Sequence, residues 1–366
     1  MNGFVFGKIF GIKLELHSSF ILLFGLMAVF LAIFQPDDFI PTMILLFFLF
    51  LSVLLHELMH SVVAIRLGAK VKKIILLPIG GLSMTEEIPK SPRAEFLISI
   101  AGPLLNFAIV FLLLIAVSAF PQLPFPNYLF EKTPTVEEVE TAVSAFPLFG
   151  LLWVNLLLGM FNLFVPALPM DGGRVLRSIL AKFLGFAKAT HIAAKISKII
   201  AIFFVIMGLL GGNLILAIIG IFVFMGAGQE NEIVSIKEIF ENQNIEPVIN
   251  PKPLVIDGEK NLFEVFDIMK QQNKTNFLVK LEHGFGILNA QDLFQVKKID
   301  WMNVFAKNIC RKVHSIPKES LASDVAAKFL AKEYSMIPIT ENHQLIGVIE
   351  AESLQNFLEI KKIEKQ

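Results

Sequence analysis

The sequence predicts a multi-span α-helical membrane protein with a small β-hairpin or sheet element, followed by a C-terminal α/β module. Three observations predict it. The 366 residues are 55% hydrophobic, with 36 Phe against two Tyr, and the mean hydropathy of +0.67 is far above that of an ordinary soluble domain. Apolar runs of membrane length recur through the first 228 residues. After Gly228 the composition turns polar, through Gln229-Glu230-Asn231-Glu232.

A hydrocarbon core of about 30 Å takes roughly 20 helical residues. About six runs fit, at 18–34, 41–66, 95–119, 147–168, 191–209 and 213–228, the last two joined by a turn at Gly211-Gly212-Asn213. Met1 to Leu16 mixes Lys8, Lys13 and Glu15 with short apolar pieces and has no clear small-residue cleavage site, so the first span is read as retained. Cations lie before the first span (Lys8, Lys13), between the second and third (Arg66, Lys70, Lys72, Lys73, Lys90, Arg93) and between the fourth and the apolar heart of the fifth (Arg174, Arg177, Lys182, Lys188, Lys195, Lys198). The alternate loops carry Asp37 and Asp38, then Glu131, Glu137, Glu138 and Glu140 with only Lys132. The expected protein is a multi-pass protein of the cell membrane with both termini cytoplasmic.

Lys70 to Met84 consists of short β-prone pieces broken by Pro78, Gly80 and Gly81, which suits a hairpin lying against the helices. Two uses stay open: a structural cover, or an edge that pairs with an extended peptide. The formal net charge is zero, so no nucleic-acid partner is expected. A single cysteine, Cys310, excludes an intramolecular disulfide framework and a cysteine-rich zinc site.

Chemistry enters at His56-Glu57-Leu58-Met59-His60, inside an otherwise apolar run. Helical positions four apart share a face, so both imidazoles can meet one metal ion with Glu57 beside them as general base. Hydrolytic zinc has three protein ligands and an open position. Asp171 is the candidate third ligand: Pro166 and Pro169 break the helix before it, and Gly172-Gly173 let the chain turn behind it. An intramembrane carboxylate calls for a cationic partner.

His56-Glu57-x-x-His60, then Ala101-Gly102-Pro103 with Asn106, then Asn162 through Pro169-Met170-Asp171-Gly172 together resemble the site-2 protease family of intramembrane zinc metalloproteases. Met170 stands where that family more commonly has Leu, and His17-Ser18-Ser19 also matches its look. The resemblance covers residues 1–228. It implies one Zn²⁺ held by His56, His60 and Asp171, Glu57 as the proton-transferring base, Asn162 as an oxyanion or substrate-strand donor, and Asn106 as a structural residue. The implied substrate is the transmembrane helix of a membrane-anchored protein, unwound locally before cleavage.

Beyond a linker helix at Ile233 to Asn244, two similar units follow, Pro253 to Gln295 and Val313 to Leu358. One carries Phe277-Leu278-Val279, Gly286-Ile287-Leu288 and Asp292-Leu293; the other carries Ile337-Pro338-Ile339, Gly347-Val348-Ile349 and Ser353-Leu354. Both resemble the cystathionine-β-synthase (CBS) domain, whose tandem pairs commonly bind adenine nucleotides and recur in one branch of the site-2 proteases. Asp292 keeps the ribose-binding position of that pattern, whereas Asn289, Glu350 and Ser353 depart from it. An ATP- or AMP-type ligand at Asp292 and a ligand-free module forming a homodimer are both open readings. The expected domains are 1–228, a linker at 229–247, and CBS domains at 248–300 and 301–366.

Intramembrane proteolysis regulated by the CBS pair is the expected function. A metal-ion transporter with a nucleotide-sensing tail and a noncatalytic scaffold for transmembrane partners are the alternatives. His191, His283, His314 and His343 lack paired partners in the sequence, His17 reads as an interfacial residue beside the hairpin, and Cys310 reads as a small buried residue. Phe47-Phe48-Leu49-Phe50 reads as lipid and helix contact.

Overall fold

The computed structural model describes residues 3–78, 80–86, 91–126, 135–240, 246–318, 325, 335–342 and 344–364. His343, Lys90, Glu131 and Lys132 lie outside them. The chain divides into two compact units, residues 1–231 and 232–366.

The first unit begins with strands β1 (Gly3–Ile9) and β2 (Ile12–His17), joined at Phe10-Gly11, whose φ values of 49° and 83° suit a tight two-residue hairpin. β2 lies parallel to β3 (Lys70–Leu77), and β3 pairs antiparallel with β4 (Gly80–Glu86), giving the sheet order β1-β2-β3-β4. Ile12, Leu14 and Ile74 form one buried cluster against Leu54 and Leu58, and Lys73 Nζ meets Glu15 Oε2 at 2.7 Å across the β2–β3 pair. The expected hairpin at Lys70–Met84 is therefore half of a four-stranded sheet. The N-terminal half escaped the period-two pattern because Phe4, Val5 and Phe6 are all exposed and apolar in succession.

Eight α-helices follow among the described residues, the last running on past residue 231: α1 (Ser18–Phe34), α2 (Phe39–Arg66), α3 (Pro92–Ala119), α4 (Val136–Ala145), α5 (Pro147–Phe164), α6 (Asp171–Leu184), α7 (Phe186–Leu210) and α8 (Leu214–Phe240). Among the described residues, five helices are long and apolar enough to cross a membrane by length and composition: 36–66, α3, α5, α7 and 214–236 of α8. α1 is apolar but has 17 residues, about 26 Å of helix at 1.5 Å per residue, so the six expected spans become five plus one short helix. α5 stops at Phe164, ahead of Pro166, and the tail of the expected fourth span is loop. α8 runs without a break past Gly228, so the expected last span and the start of the linker helix are one helix. Leu22, Phe30, Phe47, Leu112, Phe164, Leu210 and Ile215 point outward along these helices, as lipid contact requires.

Where α3, α6 and α8 meet, the buried Arg177 guanidinium is held from two sides. Its Nε donates to Glu95 Oε1 at 2.8 Å, Nη2 also donates to that oxygen, and Nη1 donates to Glu230 Oε2 at 2.6 Å. The Phe186 ring lies 5.0 Å from the guanidinium carbon. A buried cation paired on both flanks fixes α6 against its neighbours, since breaking one partner would leave an uncompensated charge.

Among its described residues the second unit holds two sheets. One has the order β5-β6-β7-β8, from β5 (Val255–Asp257), β6 (Asn276–Lys280), β7 (Phe285–Asn289) and β8 (Arg311–Val313); the other has the order β11-β10-β9, from β9 (Ile316–Pro317), β10 (Met336–Glu341) and β11 (Gln344–Glu350). Helix α9 (Leu262–Gln272) packs Leu262, Val265 and Met269 on Phe277, Val279 and Leu288. Leu278 and Ile287 of the first sheet share a cluster with Met336 and Val348 of the second.

Candidate metal centre

α2 places His56 and His60 one turn apart on its buried face, with ring centroids 4.6 Å apart and 4% and 7% exposure. Each ring is held through Nδ1 by α3. His60 Nδ1 donates to the Ile98 carbonyl at 2.6 Å, and His56 Nδ1 meets Asn106 Oδ1 at 2.5 Å. A backbone carbonyl can only accept, so His60 carries its proton on Nδ1 and turns a bare Nε2 inward.

Asp171 reaches the same point from the other end of the unit. After Phe164 the chain runs through Val165 to Met170, with a cis Leu168–Pro169 bond, and Leu168 N–H donates to Ser197 Oγ of α7 at 2.7 Å. Gly172 and Gly173, the second and third residues of α6, lie so close to the Leu163, Val165 and Ala167 backbone that any Cβ there would overlap it. Asp171 Oδ2 sits 3.0 Å from His56 Nε2 and 3.2 Å from His60 Nε2, and the two Nε2 atoms are 3.0 Å apart.

Three lone-pair atoms thus converge in a buried space, a repulsive arrangement without a cation among them. A proton serves one pair; a metal ion serves all three. Two imidazoles and one carboxylate match the catalytic zinc set, and the ligand atoms of His56, His60 and Asp171 all lie within 4.8 Å of one another. Gly102 of α3 leaves the adjoining volume free: a Cβ there would lie 2.6 Å from His56 Nε2 and closer still to His60 Nε2. The donors and the cradle both fit zinc.

Glu57 lies next to this cluster, its side chain packed over Gly81 of β4, where a Cβ would overlap Glu57 Cγ and Cδ. Asn162, on the last turns of α5, is half-buried, and no side-chain hydrogen bond joins it to the cluster among the described residues. Of the residues around the histidines, Ile98 was not read from the sequence, and Gly102 and Asn106 were read within the family motif but given no part in holding the metal ligands. Their signal was present: they recur four apart on one face of α3, and Asn106 is a polar residue in an apolar span.

Elsewhere, His17 caps α1 by accepting from Ser19 N–H, and His191 Nδ1 meets Asn231 Oδ1 at 2.6 Å. In the second unit Asp292 is buried; its Oδ2 accepts from Asn289 N–H at 2.8 Å, and Arg311 lies 3.6 Å from Oδ1. Burial pushes the Cys310 thiol above its ordinary range, away from the thiolate a nucleophile needs.

The sequence profile of peptidase family M50 matches residues 44–207, which include His56, His60 and Asp171. A zinc metalloprotease of Methanocaldococcus jannaschii is 40% identical over 278 residues, covering 76% of this chain and 74% of that one. The chain belongs to peptidase family M50. A second relative, a putative zinc metalloprotease of Synechocystis sp., is 27% identical over 378 residues, covering 96% of this chain and 94% of that one. The solved site-2 protease of Methanocaldococcus jannaschii aligns at 43% identity over 63% of this chain and 95% of that chain, with a TM-score of 0.47. As an M50 member the protein is an intramembrane zinc metalloprotease of multi-pass helical build. That assignment sets aside the transporter and the scaffold.

Proposed function

We propose that this M50 protease hydrolyses peptide bonds in or beside the transmembrane helix of membrane-anchored proteins, with His56, His60 and Asp171 holding one zinc ion and Glu57 serving as the base. The observation that carries the reading is the convergence of His56 Nε2, His60 Nε2 and Asp171 Oδ2 beside Glu57, inside the apolar helices. Zinc, when bound, supplies Lewis acidity that acidifies water and polarises the scissile carbonyl. Glu57 takes the proton from the attacking water and delivers it to the leaving amine. Asn162 is assigned to the oxyanion or the substrate strand, reached once substrate is bound.

β4 is the last strand in its sheet order, beside Glu57, and an edge strand there suits an extended, unwound substrate segment added as a further strand. With the 17-residue α1 counted as a sixth crossing, the positive flanks support both termini in the cytoplasm and the site toward that face, with Arg66 and Arg174 close beyond its two halves. Residues 1–228 form the protease domain. Residues 248–300 and 301–366 form a CBS pair, joined through 229–247, that modulates cleavage through an adenine nucleotide at Asp292 or as a homodimer. The Synechocystis relative aligns over both units, so the second unit accompanies the protease unit in that relative too.

The test is cleavage of a single-span substrate by the full chain in proteoliposomes. We expect cleavage near the cytoplasmic end of the substrate helix, faster when helix-breaking residues are placed there, abolished by a zinc chelator and restored by zinc. Undiminished cleavage in the chelated state would refute the catalytic reading. ATP that changes neither rate nor melting temperature would remove the nucleotide reading of the tail.

A further inference from the structure

A line of hydrogen bonds runs from the metal site across three apolar helices. Asn155 of α5 donates through Nδ2 to the Leu151 carbonyl at 2.9 Å and to Ser52 Oγ of α2 at 2.9 Å. Its Oδ1 accepts from Asn106 Nδ2 of α3 at 2.8 Å, and Asn106 Oδ1 faces His56 Nδ1 at 2.5 Å. Asn106 and Asn155 have no exposed surface, and Ser52 has 1%. Polar side chains at that depth are costly unless they serve a purpose.

The polarity of the line is forced from its far end. The Leu151 carbonyl can only accept, so Asn155 must turn its amide nitrogen that way. Its oxygen then faces Asn106, which must present nitrogen in turn. Only the Asn106 oxygen is left for His56, whose Nδ1 must therefore carry the proton. His56 Nε2 is left with a bare lone pair facing Asp171 and His60.

We infer that Asn155 is a positioning residue for His56, acting through Asn106 to fix the imidazole tautomer and aim Nε2 at the metal. The inference rests on the proposed ligand set. Partners behind a ligating histidine commonly set its basicity and orientation, and removing one costs about 10–100-fold in metal affinity. Asn155 acts one bond further out, so the low end of that range applies. Ser52 shares its donor with the Leu151 carbonyl, so its loss leaves the polarity in place.

The experiment measures zinc affinity by chelator competition, and the visible spectrum of the cobalt-substituted site, on the full chain in nanodiscs. Asn155→Leu is expected to weaken zinc by about 10-fold and to alter the cobalt bands. Asn155→Asp, kept neutral by its apolar surroundings and still offering acceptor and hydroxyl donor, stays within about 3-fold of wild type, as does Ser52→Ala. Asn106→Leu with Asn155→Leu is no weaker than Asn106→Leu alone, since one residue acts through the other. Wild-type affinity and cobalt spectrum in Asn155→Leu, or additive losses in the double variant, overturn the inference. If Asn155→Leu does not fold, Asn155→Ser reads the same quantity: its hydroxyl can reach the Leu151 carbonyl but not Asn106, and wild-type zinc binding there also overturns it. His56→Ala separates the two levels. Zinc retained in His56→Ala refutes the ligand set itself, whereas zinc lost there but unchanged in Asn155→Leu refutes only the relay.

Discussion

Glu57→Gln is expected to retain one zinc per chain and to lose cleavage by about 10³-fold, the scale of a removed general acid–base group. The carboxylate and the amide have nearly the same shape, so the packing of residue 57 over Gly81 survives. None of the ligand atoms belongs to Glu57: the converging set is His56, His60 and Asp171. What the amide lacks is a basic oxygen to accept the proton from water and return it to the amine. Single-turnover cleavage of a single-span substrate, with metal content measured on the same sample, checks both halves. Proteolysis at the wild-type rate would remove Glu57 from the mechanism, and loss of zinc would make it a ligand instead.

Gly102→Ala is the second large effect, and it needs no change in any ligand. The added Cβ would lie 2.6 Å from His56 Nε2 and still nearer His60 Nε2, inside the space the metal must occupy. Zinc affinity is expected to fall by at least about 100-fold, beyond the upper end seen for removed outer partners, and activity to fall with it. Gly25→Ala on α1 is the control, since a Cβ there meets nothing within 4 Å, and it leaves zinc binding unchanged. Isothermal titration of chelator-stripped protein reads the difference. Full zinc occupancy in Gly102→Ala would show that the metal does not sit against α3.

The site was half legible in the sequence, and the reason is geometric. His56, Glu57 and His60 announce themselves because helical periodicity puts local residues together. Asp171 was legible because a carboxylate beside two prolines and two glycines is out of place in an apolar chain. Asn106 was noticed within a motif but read as structural; only packing shows its oxygen on the ring of His56. Asn155, like Asn106, is a polar residue in an apolar span, but its partners depend on α2, α3 and α5 meeting, which pattern alone does not supply. In the fold, long apolar runs became helices, whereas the β1–β2 hairpin was hidden by the exposed aromatic face of β1. Charge runs gave no hint that Arg177 pairs with Glu95 and Glu230 from two other helices, because such partners are distant in sequence.

The central claim is that one zinc ion joins α2 to the start of α6. Zinc K-edge X-ray absorption on the purified full chain tests it most directly. The expected spectrum shows two imidazole ligands and oxygen donors at about 2.0–2.2 Å with no sulfur, one imidazole fewer in His60→Ala, and a lost oxygen in Asp171→Ala. A sulfur shell, or an unchanged spectrum in either variant, would contradict the account.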